Sequence, residues 1–155
     1  MAQQDELITV LNDLIEINND RVVGYERAIK ESSDSDVDLK GIFNEMADQS
    51  RKYSSELKQE VMQLGGEPST GTTNSGKVYR VFMDLKAAIT GKDRESILGS
   101  CEYGEDVAQR AYEAALESDA TMSTEIRQLI STQKSNLKTS HDMIKKYRDL
   151  HDKVS

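Results

Sequence analysis

The sequence predicts an all-α protein, one domain spanning residues 1–155 and built as a bundle of four long helices. Three observations predict it. Helix-forming residues dominate, while the 155 residues include one proline, two phenylalanines and no tryptophan. Apolar residues recur at spacings of three and four through four long segments. The breaks between those segments carry turn, cap and stop residues. A hydrophobic share of 36% suits a narrow helical seam better than a broad two-sided core.

The first helix is expected over about 5–31, with Leu7, Leu11, Leu14, Asn18, Val22, Tyr25 and Ile29 on one stripe. The polar run Ser32-Ser33-Asp34-Ser35-Asp36 supplies a turn and an N-cap. The second helix is expected over 37–64, with Leu39, Ile42, Met46, Gln49, Tyr53, Leu57, Val61 and Leu64 inward; Gly65-Gly66-Glu67-Pro68 stops it. Residues 69–76 hold only Ser, Thr, Gly and Asn and read as a linker. A short helix over 77–90 presents Val78, Phe82, Leu85 and Ile89, and Asp93 is placed to cap the next helix. The third long helix, 93–118, has the stripe Ile97, Cys101, Glu105, Ala108, Tyr112 and Ala115. The fourth, 122–150, has Ile126, Leu129, Gln133, Leu137, Ile144 and Tyr147. Short turns make helices one and two, and three and four, antiparallel neighbours. The long connection between the pairs can carry the chain back along the bundle, giving two hairpins joined by a crossover. The competing topology is up-down-up-down, with the short helix lying across one end.

Twenty-eight acidic against twenty basic residues leave a net charge of −8. That field repels phosphate backbones and anionic lipid, so neither nucleic acid nor a membrane surface is an expected partner. No apolar run approaches the roughly 20 residues that span a bilayer. The opening Met1-Ala2-Gln3-Gln4-Asp5-Glu6 lacks a secretory pattern, and Cys101 is the only cysteine, so no internal disulfide forms. The expected location is the cytoplasm.

Four inner-stripe positions are polar and near mid-helix: Asn18, Gln49, Glu105 and Gln133. With Tyr25 and Tyr112 they are expected to form one polar layer. Burying such groups unpaired costs roughly 1–3 kcal/mol each, more for a charge. A layer of this kind serves register, holds an ion or admits water. Asn18 and Glu105 each precede a Tyr-Glu pair by seven residues, Tyr25-Glu26 and Tyr112-Glu113, and both segments end in Glu-Ser. This short internal match fits a bundle of two related hairpins.

The stretches Leu11-Asn12-Asp13-Leu14-Ile15-Glu16, Leu64-Gly65-Gly66-Glu67-Pro68, Cys101-Glu102-Tyr103-Gly104-Glu105-Asp106 with Tyr112, and Gln133 with His141-Asp142 resemble the ferritin-like superfamily. More narrowly, the chain resembles an uncharacterised bacterial family of domains of unknown function within it. The resemblance implies a ferritin-like four-helix bundle. In its iron-handling members, helices one and three each give a Glu, often with a Tyr seven residues on, and helices two and four each give Glu-x-x-His. The matching residues here are Asn18 with Tyr25, Glu105 with Tyr112, Glu45-Met46-Ala47-Asp48 and Gln133-Lys134-Ser135-Asn136. One Glu has become Asn, one has become Gln, and both histidines are gone. The surviving metal-ligand candidates are Glu45, Asp48 and Glu105, with Glu102 one turn away.

Two readings follow. In the first, the protein is a non-enzymatic structural or interaction bundle with a degenerate metal site and no cofactor; the resemblance adds a stress-related role. In the second, it binds a divalent metal, iron or zinc, through Glu45, Asp48, Glu102 and Glu105. The amide substitutions favour the first, because a two-iron centre needs several anionic ligands. His141 and His151 lie ten residues apart, about 15 Å along a helix, too far to share an ion; each is expected on the surface or at a seam. Cys101 is expected to act as a small apolar group. The excess apolar surface of the 77–90 helix either caps the bundle or docks against a second subunit, which suggests homo-oligomerisation, as a dimer.

Overall fold

A computed structural model describes the backbone of residues 2–71 and 94–154. The segment expected as a linker and short helix, 77–90 with its apolar face, lies outside the described residues, as does Asp93. Four helices follow in order: α1 Ala2–Glu31, α2 Val37–Gln63, α3 Arg94–Glu117 and α4 Thr124–Val154. Each lies within a few residues of its expected bounds.

Helix α1 packs along α2 and α3 packs along α4, while α1 against α3 joins the two hairpins. The first hairpin turns at Ser32, whose hydroxyl and amide both reach the Ala28 carbonyl, at 2.7 and 3.0 Å. Asp36 does not cap α2 with its side chain, contrary to expectation. Its carboxylate instead accepts from Arg94 at 3.0 Å, and Arg94 also grips both oxygens of Asp38, at 3.1 and 2.8 Å. That clamp ties the start of α3 to the start of α2. A helix the length of α2 rises about 40 Å, so the chain returns the full length of the bundle between its end and Arg94. This is the crossover topology, and it excludes up-down-up-down.

The stop after α2 follows from its glycines. Gly65 sits at φ 82°, a region that side chains avoid. Its N–H reaches the Met62 carbonyl and that of Gly66 reaches Val61, each at 3.0 Å; together these form a Schellman motif. Residues 66–71 then run along α1. Asn12 accepts from the Ser69 amide at 2.8 Å and donates to the Glu67 carbonyl at 3.1 Å, and Asn19 donates to Gly71 at 2.8 Å. Gly66 lies so close to Ile8 that an added Cβ would sit 2.8 Å from its side chain.

The hydrophobic interior divides into two clusters. One gathers Tyr25, Leu39, Phe43, Ile97, Leu98, Cys101 and Ile144. The other gathers Leu7, Leu11, Leu14, Leu57, Val61, Ile126 and Leu137. Between them lies a band of buried polar side chains.

Candidate functional site

The polar band contains a residue absent from the expected layer. Arg21 is fully buried, the largest side chain to be so among the described residues. Its Nε donates to Glu105 Oε1 at 2.6 Å, and Glu105 is itself 1% exposed. One terminal nitrogen donates to Ser50 Oγ and the other lies 3.9 Å from Met46 Sδ. The guanidinium also stands 5.3 Å from the centre of the Tyr25 ring, within cation–π range. Tyr25 donates its hydroxyl to the same Glu105 oxygen at 3.0 Å.

Ser50 links this pair to an amide–phenol chain. Its hydroxyl donates to Asn18 Oδ1 at 2.9 Å, and Asn18 Nδ2 donates to the Tyr112 hydroxyl and the Leu14 carbonyl, both at 2.8 Å. Tyr112 donates to Gln133 Oε1 at 2.6 Å, and Gln133 Nε2 donates to Glu56 at 3.0 Å. The chain touches all four helices. Five of the six expected layer residues, Asn18, Tyr25, Glu105, Tyr112 and Gln133, belong to it. Gln49 does not: it is half-buried and bonds Ser140 and Tyr53, at 3.0 and 3.4 Å.

The charges are tuned by this burial. Desolvation pulls the Arg21 guanidinium down, but the Glu105 charge and the bonds to Glu105 and Tyr25 more than offset it, and Arg21 ends above its ordinary value. Burial pushes the Tyr25 phenol well up, and Glu105 pushes it further. Burial likewise raises Tyr112, and burial with the Glu105 charge raises the Cys101 thiol. Phenols and thiol are therefore held protonated, and the band carries one cation against Glu105.

The four expected metal ligands are not brought together. Glu45 and Asp48 are exposed on α2, and Asp48 pairs with Arg51 at 2.6 Å. The helical register turns them away, because Met46, Ala47 and Ser50 take the inward positions. Glu105 is in the core, bound to Arg21. Glu102 lies at the α3–α4 seam, bonded to Arg148. There it meets Asp106 and His141, with donor atoms of the three within 4.8 Å of one another. That is the grouping of three or more potential metal donors among the described residues. It includes His141, which the sequence places on the surface or at a seam.

Sequence reasoning missed Arg21 because Val22, one residue on, completed an apolar stripe. The signal was nonetheless present: positions 14, 18, 21, 25 and 28 keep the alternating four–three step, and all five are buried.

A protein-family profile, described as a domain of unknown function (DUF2383), matches residues 6–118. The chain belongs to this family. A comparison with curated proteins returned no match. Solved structures share the fold. A mutant of Dps1 from Mycobacterium smegmatis superposes with a TM-score of 0.79 at 9% identity, covering 95% of this chain and 97% of that one. The dodecameric thioferritin of Bacteroides fragilis, a bacterioferritin-related protein, gives 0.79 at 15% identity, covering 97% and 89%. The Dps protein of Vibrio cholerae O1, described as one of a broad superfamily of ferritin-like diiron-carboxylate proteins, gives 0.74 at 16% identity, covering 94% and 91%. The DUF2383 chain is thus a ferritin-like bundle. None of its described helices is long and apolar enough to cross a membrane.

The fold raises the question of a two-metal centre, and the core residues do not fit one. Glu105 Oε2 is buried without a hydrogen-bond partner among the protein groups, which leaves one carboxylate oxygen available. Around it stand a guanidinium, two protonated phenols, two amides and a protonated thiol. Two divalent ions need several anionic oxygens to balance their charge; among the described residues the buried carboxylates are Asp20 and Glu105, the latter already paired with Arg21, and the half-buried Glu56 is taken up by Gln133.

Proposed function

We propose that this protein is a non-enzymatic ferritin-like bundle whose core ion pair takes the place of a metal centre, and that it acts by assembly and interaction instead of iron oxidation. The observation that supports this is the fully buried Arg21 paired with Glu105. A fixed internal cation supplies the positive charge that a carboxylate site would otherwise take from metal, and it cannot deprotonate or leave. The amide–phenol chain around it is closed by hydrogen bonds, as buried polar groups require. Assembly with further copies of the chain belongs to the same proposal. It draws on the ferritin-like fold, since the thioferritin of Bacteroides fragilis is dodecameric; sedimentation of the purified protein measures the copy number. A cytoplasmic location fits a chain with a single, buried cysteine.

The test is iron oxidation by purified protein bearing His141→Ala, which takes the imidazole out of the seam grouping of Glu102, Asp106 and His141 and leaves the core unchanged. Fe²⁺ in air should oxidise no faster than in protein-free buffer, and dialysed protein should retain no stoichiometric iron. Two iron ions per chain, or oxidation accelerated by the protein and abolished by Glu105→Gln, would overturn the reading.

A further inference from the structure

We propose that the α3–α4 seam carries a divalent-cation site formed by Glu102, Asp106 and His141, for which Zn²⁺ is the best-matched ion. It is separate from the core and does not depend on the reading of the core. Glu102 and Asp106 are one turn apart on α3 and so face the same way. His141 reaches them from α4, with Nε2 already 2.7 Å from Asp106 Oδ1. All three side chains are partly buried, so they are partly ordered before any ion arrives. One imidazole nitrogen and two carboxylate oxygens make a three-ligand set that leaves a fourth position for water, a common zinc arrangement. Ligand atoms around tetrahedral zinc lie about 3.3 Å apart, given bonds of about 2.0–2.1 Å; donors spread over 4.8 Å reach that spacing by side-chain rotation alone.

A second carboxylate prepares the histidine. Asp142 Oδ1 lies 3.1 Å from His141 Nδ1. A carboxylate there keeps the ring proton on Nδ1, which leaves Nε2 as the lone-pair nitrogen facing Asp106 and Glu102 once an ion is present. Histidine ligands of metals are held in this way by a carboxylate or carbonyl on the far nitrogen. Against the site stands Arg148, which donates to Glu102 and, at 3.2 Å, to Asp149. Zinc entry exchanges the Arg148–Glu102 bond for a metal bond, and Asp149 keeps a partner ready for the released guanidinium. The site therefore binds more weakly than an uncontested one, and Arg148 tunes its affinity.

The experiment is calorimetric titration of the full chain with ZnCl₂, paired with Co²⁺ absorption as a report on coordination. One ion per chain is expected, together with visible cobalt bands displaced by zinc. His141→Gln and Asp106→Asn, each checked for an unchanged melt in the absence of metal, should each weaken zinc binding at least about tenfold. Arg148→Ala should strengthen it. Glu45→Gln and Asp48→Asn, which remove exposed carboxylates elsewhere, should leave it unchanged. Binding that survives both His141→Gln and Asp106→Asn, binding lost equally with Glu45→Gln, or no one-to-one binding at all would overturn the proposal.

Discussion

Removing the guanidinium of Arg21 tests the core directly. Arg21→Met keeps an unbranched side chain of adaptable shape, so the change is chiefly electrostatic. It strips Glu105 of its charged partner at 2.6 Å and Ser50 of a donor, leaving the Tyr25 hydroxyl as the remaining group bonded to the carboxylate among the described residues. Breaking a buried ion pair from one side costs about 3–5 kcal/mol. For a chain of this length each kcal/mol is worth about 2–4 °C, so the melting temperature should fall by about 6–20 °C. Adding Glu105→Gln to Arg21→Met removes the stranded charge and should recover more than half of the loss. The assay is a double-mutant cycle by circular dichroism melts at neutral pH. An Arg21→Met cost below about 1 kcal/mol, or a double variant equal to the sum of the singles, would refute the assignment of a coupled, buried pair.

Four further outcomes follow. In urea titrations Tyr112→Phe should cost about 1–3 kcal/mol, because it leaves Asn18 and Gln133 short of a buried partner, whereas Tyr103→Phe on the surface should cost nearly nothing. Tyr25 and Tyr112 have raised folded pKa values, so the stability they contribute is present below about pH 10 and is lost as pH rises above it; tyrosinate absorbance should show these two ionising only as the fold opens. Cys101 is buried with a thiol pushed up by its surroundings, so a thiol reagent near pH 8 should react with it only after denaturant is added. Rapid labelling of the native protein would contradict its burial. Gly65→Ala should cost about 1–2 kcal/mol in melting experiments, since it forces a side chain into the left-handed region at φ 82°.

The sequence by itself determined the four long helices, their bounds to within a few residues, and the hairpin pairing. Those features rest on local physics: the helical repeat of apolar residues, the Gly65-Gly66 stop, the polar turns. It also marked Asn18, Tyr25, Glu105, Tyr112 and Gln133 as core polar residues, because a polar side chain on an apolar stripe stands out one helix at a time. The tertiary structure decided what those residues bond to. Asn18 and Tyr112 lie 94 positions apart, and Arg21 and Glu105 lie 84 apart; no local pattern fixes the rotation of α1 against α3 that joins them. That rotation chose Arg21 over Val22 for the interior and turned Glu45 and Asp48 outward. It also brought His141 of α4 beside Glu102 and Asp106 of α3, a juxtaposition set by helix packing and not by spacing along the chain.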